Sequence, residues 1–218
     1  MTSFQTEITP QLITLFETLF SVSLTDESKK IDGVLSQLDA QLFKSYNQPH
    51  AARIAGTIEQ GIFSPTWAPP SSPGKSVADR QPSPYVFTIL LSLVLVHTEV
   101  STTSPPLTAR ILRALFEATT TSLIKTFNDA RLPQVNLPAL MQATLDVEFM
   151  AQTLASYTTE AASATQTEIY QVLDGKTDNE ARVRLQGELT NLRGTLKGLR
   201  EGTRVEFSCF RREKRVVR

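Results

Sequence analysis

The sequence is poor in the residues from which catalytic and metal sites are commonly built. It contains one cysteine, Cys209, and two histidines, His50 and His97, among 218 residues. A single cysteine excludes an internal disulfide and a zinc site built from several cysteines. The histidines belong to no His-Glu-x-x-His array, and His97 and Glu99 are spaced so that they lie on different faces of a helix. These absences argue against a metal site.

Motifs of other enzyme classes are also missing. The sequence has no Gly-rich phosphate-binding loop, no Gly-x-Ser-x-Gly elbow and no paired carboxylates in a setting typical of acid–base catalysis. Arginines that follow Phe210 could lower the pKa of Cys209, but no histidine lies nearby to serve as a base. We therefore predict that the chain is not an enzyme and binds neither a cofactor nor a metal.

Charge is balanced over the whole chain, with 22 lysine and arginine residues against 22 aspartate and glutamate residues. A neutral chain has no global field that attracts nucleic acid or acidic lipid. The stretch from Arg193 to Arg218 is an exception, because it holds nine basic residues against three acidic ones. We predict that this end contacts a partner or an acidic surface, and the candidate residues are Arg200, Arg204, Arg211, Arg212, Lys214 and Arg215. A solvated helix end explains the same pattern equally well.

The longest apolar run extends from Val86 to Val96 and is closed by His97 and Glu99. A membrane-spanning helix takes roughly 20 apolar residues, so this run is too short to cross a bilayer. We expect a helix that is buried on all sides by neighbouring helices. The amino terminus also lacks the basic start, apolar stretch and cleavage site of a secretory signal, which favours the cytosol.

Apolar residues recur at helical spacing in the first third of the chain. Thr9-Pro10 is typical of a helix start, and Leu12, Ile13, Phe16, Leu19 and Phe20 form a wide apolar face after it. A second stripe consists of Ile31, Leu35, Leu38, Leu42 and Tyr46. Pro49 is predicted to break or kink this second helix, and a third helix then carries Ile54, Ile58 and Ile62.

Residues 64 to 84 have a different composition. They hold six of the 12 prolines of the chain, mixed with serine and glycine, which predicts an extended and mobile loop. No Pro-x-x-Pro motif flanked by arginine stands out, so a linker is favoured over an SH3 ligand. Trp67, near the start of this loop, is predicted to anchor it onto a helix.

Helix signals continue after the loop. Ser83-Pro84 opens the apolar helix, and Ser104-Pro105 caps the next one. Asn136 and Pro138 start a further helix, which is expected to extend towards Leu173 and to stop at Gly175.

The last predicted helix carries a leucine repeat. Thr177, with Glu180 three residues later, forms a capping box at its start. Spacings of 4, 3, 4 and 3 separate Leu185, Leu189, Leu192, Leu196 and Leu199. This repeat is typical of the contact line of an antiparallel bundle or a short coiled coil.

No segment shows the sustained alternation of a β-strand. We therefore predict an all-α fold of antiparallel helical bundles in series. The expected organisation is a helical bundle segment over residues 1–63, a proline-rich loop over 64–83 and a C-terminal helical bundle over 84–218.

Several stretches resemble one known family in the order and content of their helices. They are Ile31–Phe43, Trp67–Pro69, Pro84–Val100, Pro106–Phe116 and Leu199–Arg212. Together they resemble the carboxy-terminal part of exocyst complex component 2, a subunit of a vesicle-tethering complex. The likeness runs over most of the 218 residues, and the proline-rich loop is its least informative part.

The resemblance implies a structural function. The exocyst is a multisubunit tether that holds secretory vesicles at the plasma membrane before SNARE-mediated fusion in exocytosis, and its subunits are rods of helical bundles. This segment would lie at the distal end of one rod, in the cytoplasm and peripherally at plasma membrane sites of exocytosis. The implied partners are other exocyst subunits, with small GTPases and SNARE-associated proteins reached through the full complex. No nucleic acid is expected, and membrane contact would be indirect or peripheral.

Three other functions remain open at this point, one of which is a small helical enzyme with a deep pocket lined by converging polar groups. The chain could be a subunit of another helical vesicle tether, such as those at the Golgi or the endosome. It could instead be a peripheral membrane-binding helical module that uses the basic C-terminal tail and an amphipathic face.

Overall fold

The computed structural model describes residues 8–20, 25–67 and 80–211. Within these ranges the chain forms helices and no β-strand, which confirms the predicted all-α fold. The α-helices are α1 (Thr9–Phe20), α2 (Thr25–Ile62), α3 (Pro84–Thr103), α4 (Thr108–Asn128), α5 (Leu137–Thr153), α6 (Glu160–Gly175) and α7 (Asn179–Gly202). Short 3-10 helices lie at Pro105–Leu107, Ala155–Tyr157 and Ser208–Phe210.

The chain divides into two compact units, Met1–Pro49 and His50–Arg218. Pro49 lies inside α2, so the prediction of a separate third helix is wrong. Proline removes one backbone hydrogen bond, at a cost of about 3 kcal/mol in a helix interior. Burial of the next apolar residues, Ile54, Ile58 and Ile62, offsets this cost and continues the helix. The predicted boundaries 1–63, 64–83 and 84–218 stay a prediction.

The first unit presents its apolar stripes to solvent. Side chains that are more than 40% exposed are Leu12, Leu15, Phe16, Leu19 and Phe20 on α1 and Ile31, Val34, Leu38 and Leu42 on α2. The rings of Phe16 and Phe20 lie 4.5 Å apart on the same face of α1. The helices predicted from these stripes are therefore present, and no described residue covers the apolar side chains named above.

The second unit contains the core. Helix α4 packs against α6, α5 packs against α7, and α3 contacts both α4 and α5. The core side chains of α3 are Tyr85, Val86, Ile89, Leu90, Leu93, Val96 and Val100. On the opposite face Leu91 and Leu95 are 51% and 70% exposed, so the prediction of burial on all sides is wrong.

Helix α3 is also longer than the apolar run that predicted it. It has 20 residues, and among the described residues it is the one helix long and apolar enough to span a membrane by length and composition. Seven of its side chains are buried inside the second unit.

The segment between Asn136 and Gly175 forms two helices where the sequence predicted one. Asn136 caps α5 as expected, since its Oδ1 accepts a hydrogen bond from the Ala139 amide at 3.0 Å. The helix ends at Thr153, and a 3-10 turn follows. Thr159 then caps α6 by accepting from the Ala162 amide at 3.2 Å. A new cap satisfies the amides of a second helix start, which explains the interruption.

The cap of α7 is Asp178, one residue after the predicted position. Its Oδ1 accepts from the Ala181 amide at 2.7 Å. The hydroxyl of Thr177 instead donates to the Leu173 carbonyl of the preceding helix at 2.6 Å. The predicted capping box of Thr177 and Glu180 is therefore wrong, because Thr177 still belongs to the end of α6 and Asp178 has the extended backbone of a cap.

A buried carboxylate on α5 collects hydrogen bonds from two distant segments. The Asp146 side chain is 0% exposed. Its Oδ1 accepts from the Ser83 amide at 2.8 Å and from Gln142 Nε2 at 3.0 Å. Its Oδ2 accepts from the Ser83 hydroxyl at 2.7 Å and from Trp67 Nε1 at 3.2 Å. We call Asp146, Trp67, Ser83 and Gln142 the Asp146 cluster.

The Asp146 cluster fixes the chain on both sides of residues 68–79. Trp67 follows α2 and Ser83 precedes α3, so both neighbouring helices are joined to α5. This confirms the prediction that Trp67 anchors the start of the loop onto a helix. The mobile loop predicted between these anchors lies largely outside the described residues. Burial raises the pKa of Asp146, while the donors from Ser83, Gln142 and Trp67 favour the charged form.

Core packing in α3 leads to a first prediction. Replacing the buried Leu93 by alanine should lower the free energy of unfolding by about 2–5 kcal/mol, because a cavity replaces a fully packed side chain. The exposed Leu95 on the same helix is the matched control, and its replacement by alanine should cost about 0.5 kcal/mol or less. Chemical denaturation followed by circular dichroism measures both values. Equal losses for the two variants would contradict the assignment of the core face.

The Asp146 cluster leads to a second prediction. In Asp146→Asn an amide group replaces one carboxylate oxygen and faces hydrogen-bond donors, so a buried donor loses its partner. The free energy of unfolding should fall by about 1–3 kcal/mol. Trp67 is the only tryptophan, so its fluorescence reports the unfolding of this region directly. Glu180→Gln, which neutralises an exposed carboxylate paired with Arg184, should change little. A variant Asp146→Asn as stable as the wild type would show that the hydrogen bonds are not needed.

Candidate docking surface

The predicted contact residues fall into two groups. Arg200, Arg204 and Arg211 are described and exposed. Arg212, Lys214 and Arg215 lie outside the described residues, so their role stays a prediction.

An aromatic cluster holds the chain after α7. Phe207 and Phe210 are 5% and 1% exposed. The Phe207 ring lies 6.3 Å from that of Phe149 on α5. Phe210 lies 6.2 Å from His97 on α3 and 6.1 Å from Tyr157, both edge-to-face. These contacts fix the basic chain end onto three other segments. Sequence reasoning treated this stretch as a charged tail, although two phenylalanines spaced by three residues signalled a buried turn.

Two of the predicted arginines meet at one cavity. Arg200 and Arg211 line a cavity of about 310 Å³ between the carboxyl ends of α5 and α7. Its other lining residues are Gln152, Thr153, Ala155, Ser156, Thr203, Phe207 and Phe210. We call this space the arginine cavity. Arg204 is exposed nearby in sequence but does not line it.

A chain of hydrogen bonds across three helices orients Arg200. The Tyr170 hydroxyl on α6 donates to Glu148 Oε1 on α5 at 2.6 Å. Gln152 Nε2 donates to the other oxygen of Glu148 at 3.0 Å, and Arg200 Nη1 donates to Gln152 Oε1 at 3.4 Å. Burial, with the charge and hydrogen bond of Glu148, raises the pKa of Tyr170, so its hydroxyl keeps its proton and remains a donor.

The leucine repeat of α7 packs on α5 and leaves a groove. Leu192 and Leu196 are buried, whereas Leu185, Leu189 and Leu199 are partly exposed. A groove of about 640 Å³ runs between α5, α6 and α7, with leucines inside and Glu148, Asp174, Arg182 and Arg193 among its polar lining residues. Arg182 and Asp174 pair across its edge at 2.6 Å. The predicted leucine contact line therefore packs against α5 of the same chain, and its partly exposed leucines remain accessible at the groove.

The histidines and the cysteine do not converge. His50 Nδ1 lies 3.2 Å from Arg53, and His97 contacts the Phe210 ring. Partial burial lowers the pKa of both histidines. Burial raises the pKa of Cys209, which corrects the expectation that neighbouring arginines lower it. Over the described ranges, no group of three or more histidine, cysteine or acidic side chains could hold a metal ion.

The described surface thus carries a cationic cavity, a leucine groove and, on the first unit, exposed apolar side chains. A comparison with protein-family models matches residues 1–210 to the family described as exocyst complex component Sec5. Comparisons with curated proteins and with solved structures found no match. The family match extends through both compact units and includes every lining residue of the arginine cavity except Arg211. The chain therefore belongs to the exocyst complex component Sec5 family, a family of subunits of a vesicle-tethering complex.

Proposed function

We propose that the chain is the carboxy-terminal helical region of exocyst complex component 2. In this role it is a structural element that helps to tether secretory vesicles to the plasma membrane before SNARE-mediated fusion. The family match over residues 1–210 carries the proposal, and the all-α fold agrees with it. The chain would be cytoplasmic and peripheral at sites of exocytosis, and it would act by holding other exocyst subunits.

The second unit has the properties of a stiff element. Its helices α3 to α7 pack around large apolar side chains, and the Asp146 cluster adds hydrogen bonds between segments far apart in sequence. Closely packed interiors have low compressibility and transmit strain, so we expect such a unit to behave as one body. This is the mechanical property that a tether requires.

The described surfaces fit a protein that works in a complex. The apolar side chains open on α1 and α2 form stripes of the kind that other proteins cover. The leucine groove between α5, α6 and α7 offers a second apolar surface with a charged edge. Both features support binding to neighbouring subunits rather than conversion of a substrate.

Purification of the tagged full-length protein with its partners tests the proposal. Mass spectrometry of the co-purified proteins should recover exocyst subunits, because a tethering subunit exists mainly in its complex. The tag alone is the control for non-specific recovery. Recovery of Golgi or endosomal tether subunits in their place would contradict the assignment.

A further inference from the structure

Among the residues that the structure describes, the arginine cavity has positive charge without a matching acid. Arg200 and Arg211 line it, and no described carboxylate lines it with them. The salt bridges among the described residues involve Arg131, Arg182 and Arg184 instead. Two like charges beside one cavity repel each other, and an anion between them would remove that cost.

The Arg200 guanidinium makes one hydrogen bond and has further N–H donors, while Arg211 is held in place through its backbone. The bond from Arg200 to Gln152 is long, at 3.4 Å, and engages one nitrogen of a group with five N–H donors. Glu148 holds the Gln152 amide in place from the other side. Arg211 directly follows Phe210, whose ring is fixed in the aromatic cluster. The cavity is thus largely formed before any ligand arrives, which reduces the entropy cost of binding.

We propose that the arginine cavity binds a carboxylate side chain from an acidic segment of a partner protein. A planar guanidinium matches a carboxylate with two parallel hydrogen bonds, so two arginines suit an aspartate or glutamate side chain. The hydroxyls of Thr153 and Ser156 also line the cavity, and no described residue occupies them in a hydrogen bond. The proposal rests on the proposed tethering function in one respect only, which is that the partner protein is expected to come from the tethering complex.

The shape of the site favours a protein partner over a lipid surface. An anionic bilayer attracts basic residues that are spread over an exposed face. On such a surface Arg204 would contribute as much to binding as Arg200. A side chain that enters the cavity contacts Arg200 and Arg211 but not Arg204, because only the first two line it. Arg204 is therefore a matched control, since it is exposed, basic and close in sequence but outside the cavity.

Fluorescence anisotropy with a labelled peptide of alternating glutamate and serine tests the proposal on the 218-residue chain. The double variant Arg200→Ala with Arg211→Ala should bind the peptide about tenfold more weakly or worse, because charge-assisted bonds are lost. Arg204→Ala should stay within about threefold of the wild type. A glutamine–serine peptide should not bind. Trp67 fluorescence checks folding, and Arg200→Gln with Arg211→Gln replaces the double variant if it fails to fold.

Two further probes separate other sources of negative charge. Inorganic phosphate tests for a small-anion site, and vesicles that contain phosphatidylserine test for a membrane surface. Equal losses of peptide binding in Arg204→Ala and in the double variant would overturn the proposal. Binding to phosphate or to vesicles without binding to the peptide would also overturn it.

Purification of the wild-type full-length protein, combined with peptide binding by the double variant, separates this proposal from the tethering proposal. If exocyst subunits are recovered while the double variant binds the peptide as the wild type does, the cavity proposal fails and the tethering proposal stands. If no exocyst subunit is recovered while peptide binding depends on Arg200 and Arg211 as expected, the tethering proposal fails and the cavity proposal stands.

Discussion

The buried carboxylate of Asp146 is the constraint on which the second unit depends. Removing an ionised group from water is costly unless hydrogen bonds replace the lost hydration, and three residues supply them. Because Trp67 and Ser83 come from opposite sides of residues 68–79, one side chain sets the positions of α2 and α3 relative to α5 within this unit. Helix α5 also carries Gln152, whose amide orients Arg200 at the arginine cavity. The position of the arginine cavity therefore depends on how the Asp146 cluster holds α5.

The two compact units differ in how they use their apolar residues. In the second unit, side chains such as Leu93, Leu115 and Phe127 are buried, so the unit is stabilised by its own core. In the first unit, Leu19, Val34 and other large side chains are exposed, and exposed apolar stripes of this kind are typical of binding surfaces. This contrast fits a member of a family of tethering-complex subunits, because exposed apolar side chains suit contacts within a complex.

Local signals allowed much of the fold to be predicted. Ser83-Pro84 and Asn136 are helix-start patterns, and the structure begins α3 and α5 where they indicate. Other helix ends depend on tertiary packing, which the periodicity of apolar residues does not report. They are the interruption after Thr153, the shift of the cap to Asp178 and the continuation of α2 through Pro49.

The Asp146 cluster could not be predicted from the sequence for a stronger reason. Trp67 and Asp146 are 79 residues apart, and no local pattern links a donor and an acceptor at that separation. Arg200 and Arg211 were predicted as contact residues from charge alone, but their cavity exists only because Phe207 and Phe210 fold the chain end back.

Hydrogen exchange of the Trp67 indole, followed by NMR, tests the central claim most directly. The chain has one tryptophan, so the indole N–H signal has a single assignment. If Trp67 Nε1 donates to the buried Asp146 carboxylate, this proton should exchange about as slowly as the most protected amides of α5, because both need the second unit to open. Rapid exchange of the indole proton while the α5 amides remain protected would contradict the account. It would mean that the bond between Trp67 and Asp146 opens while α5 stays folded.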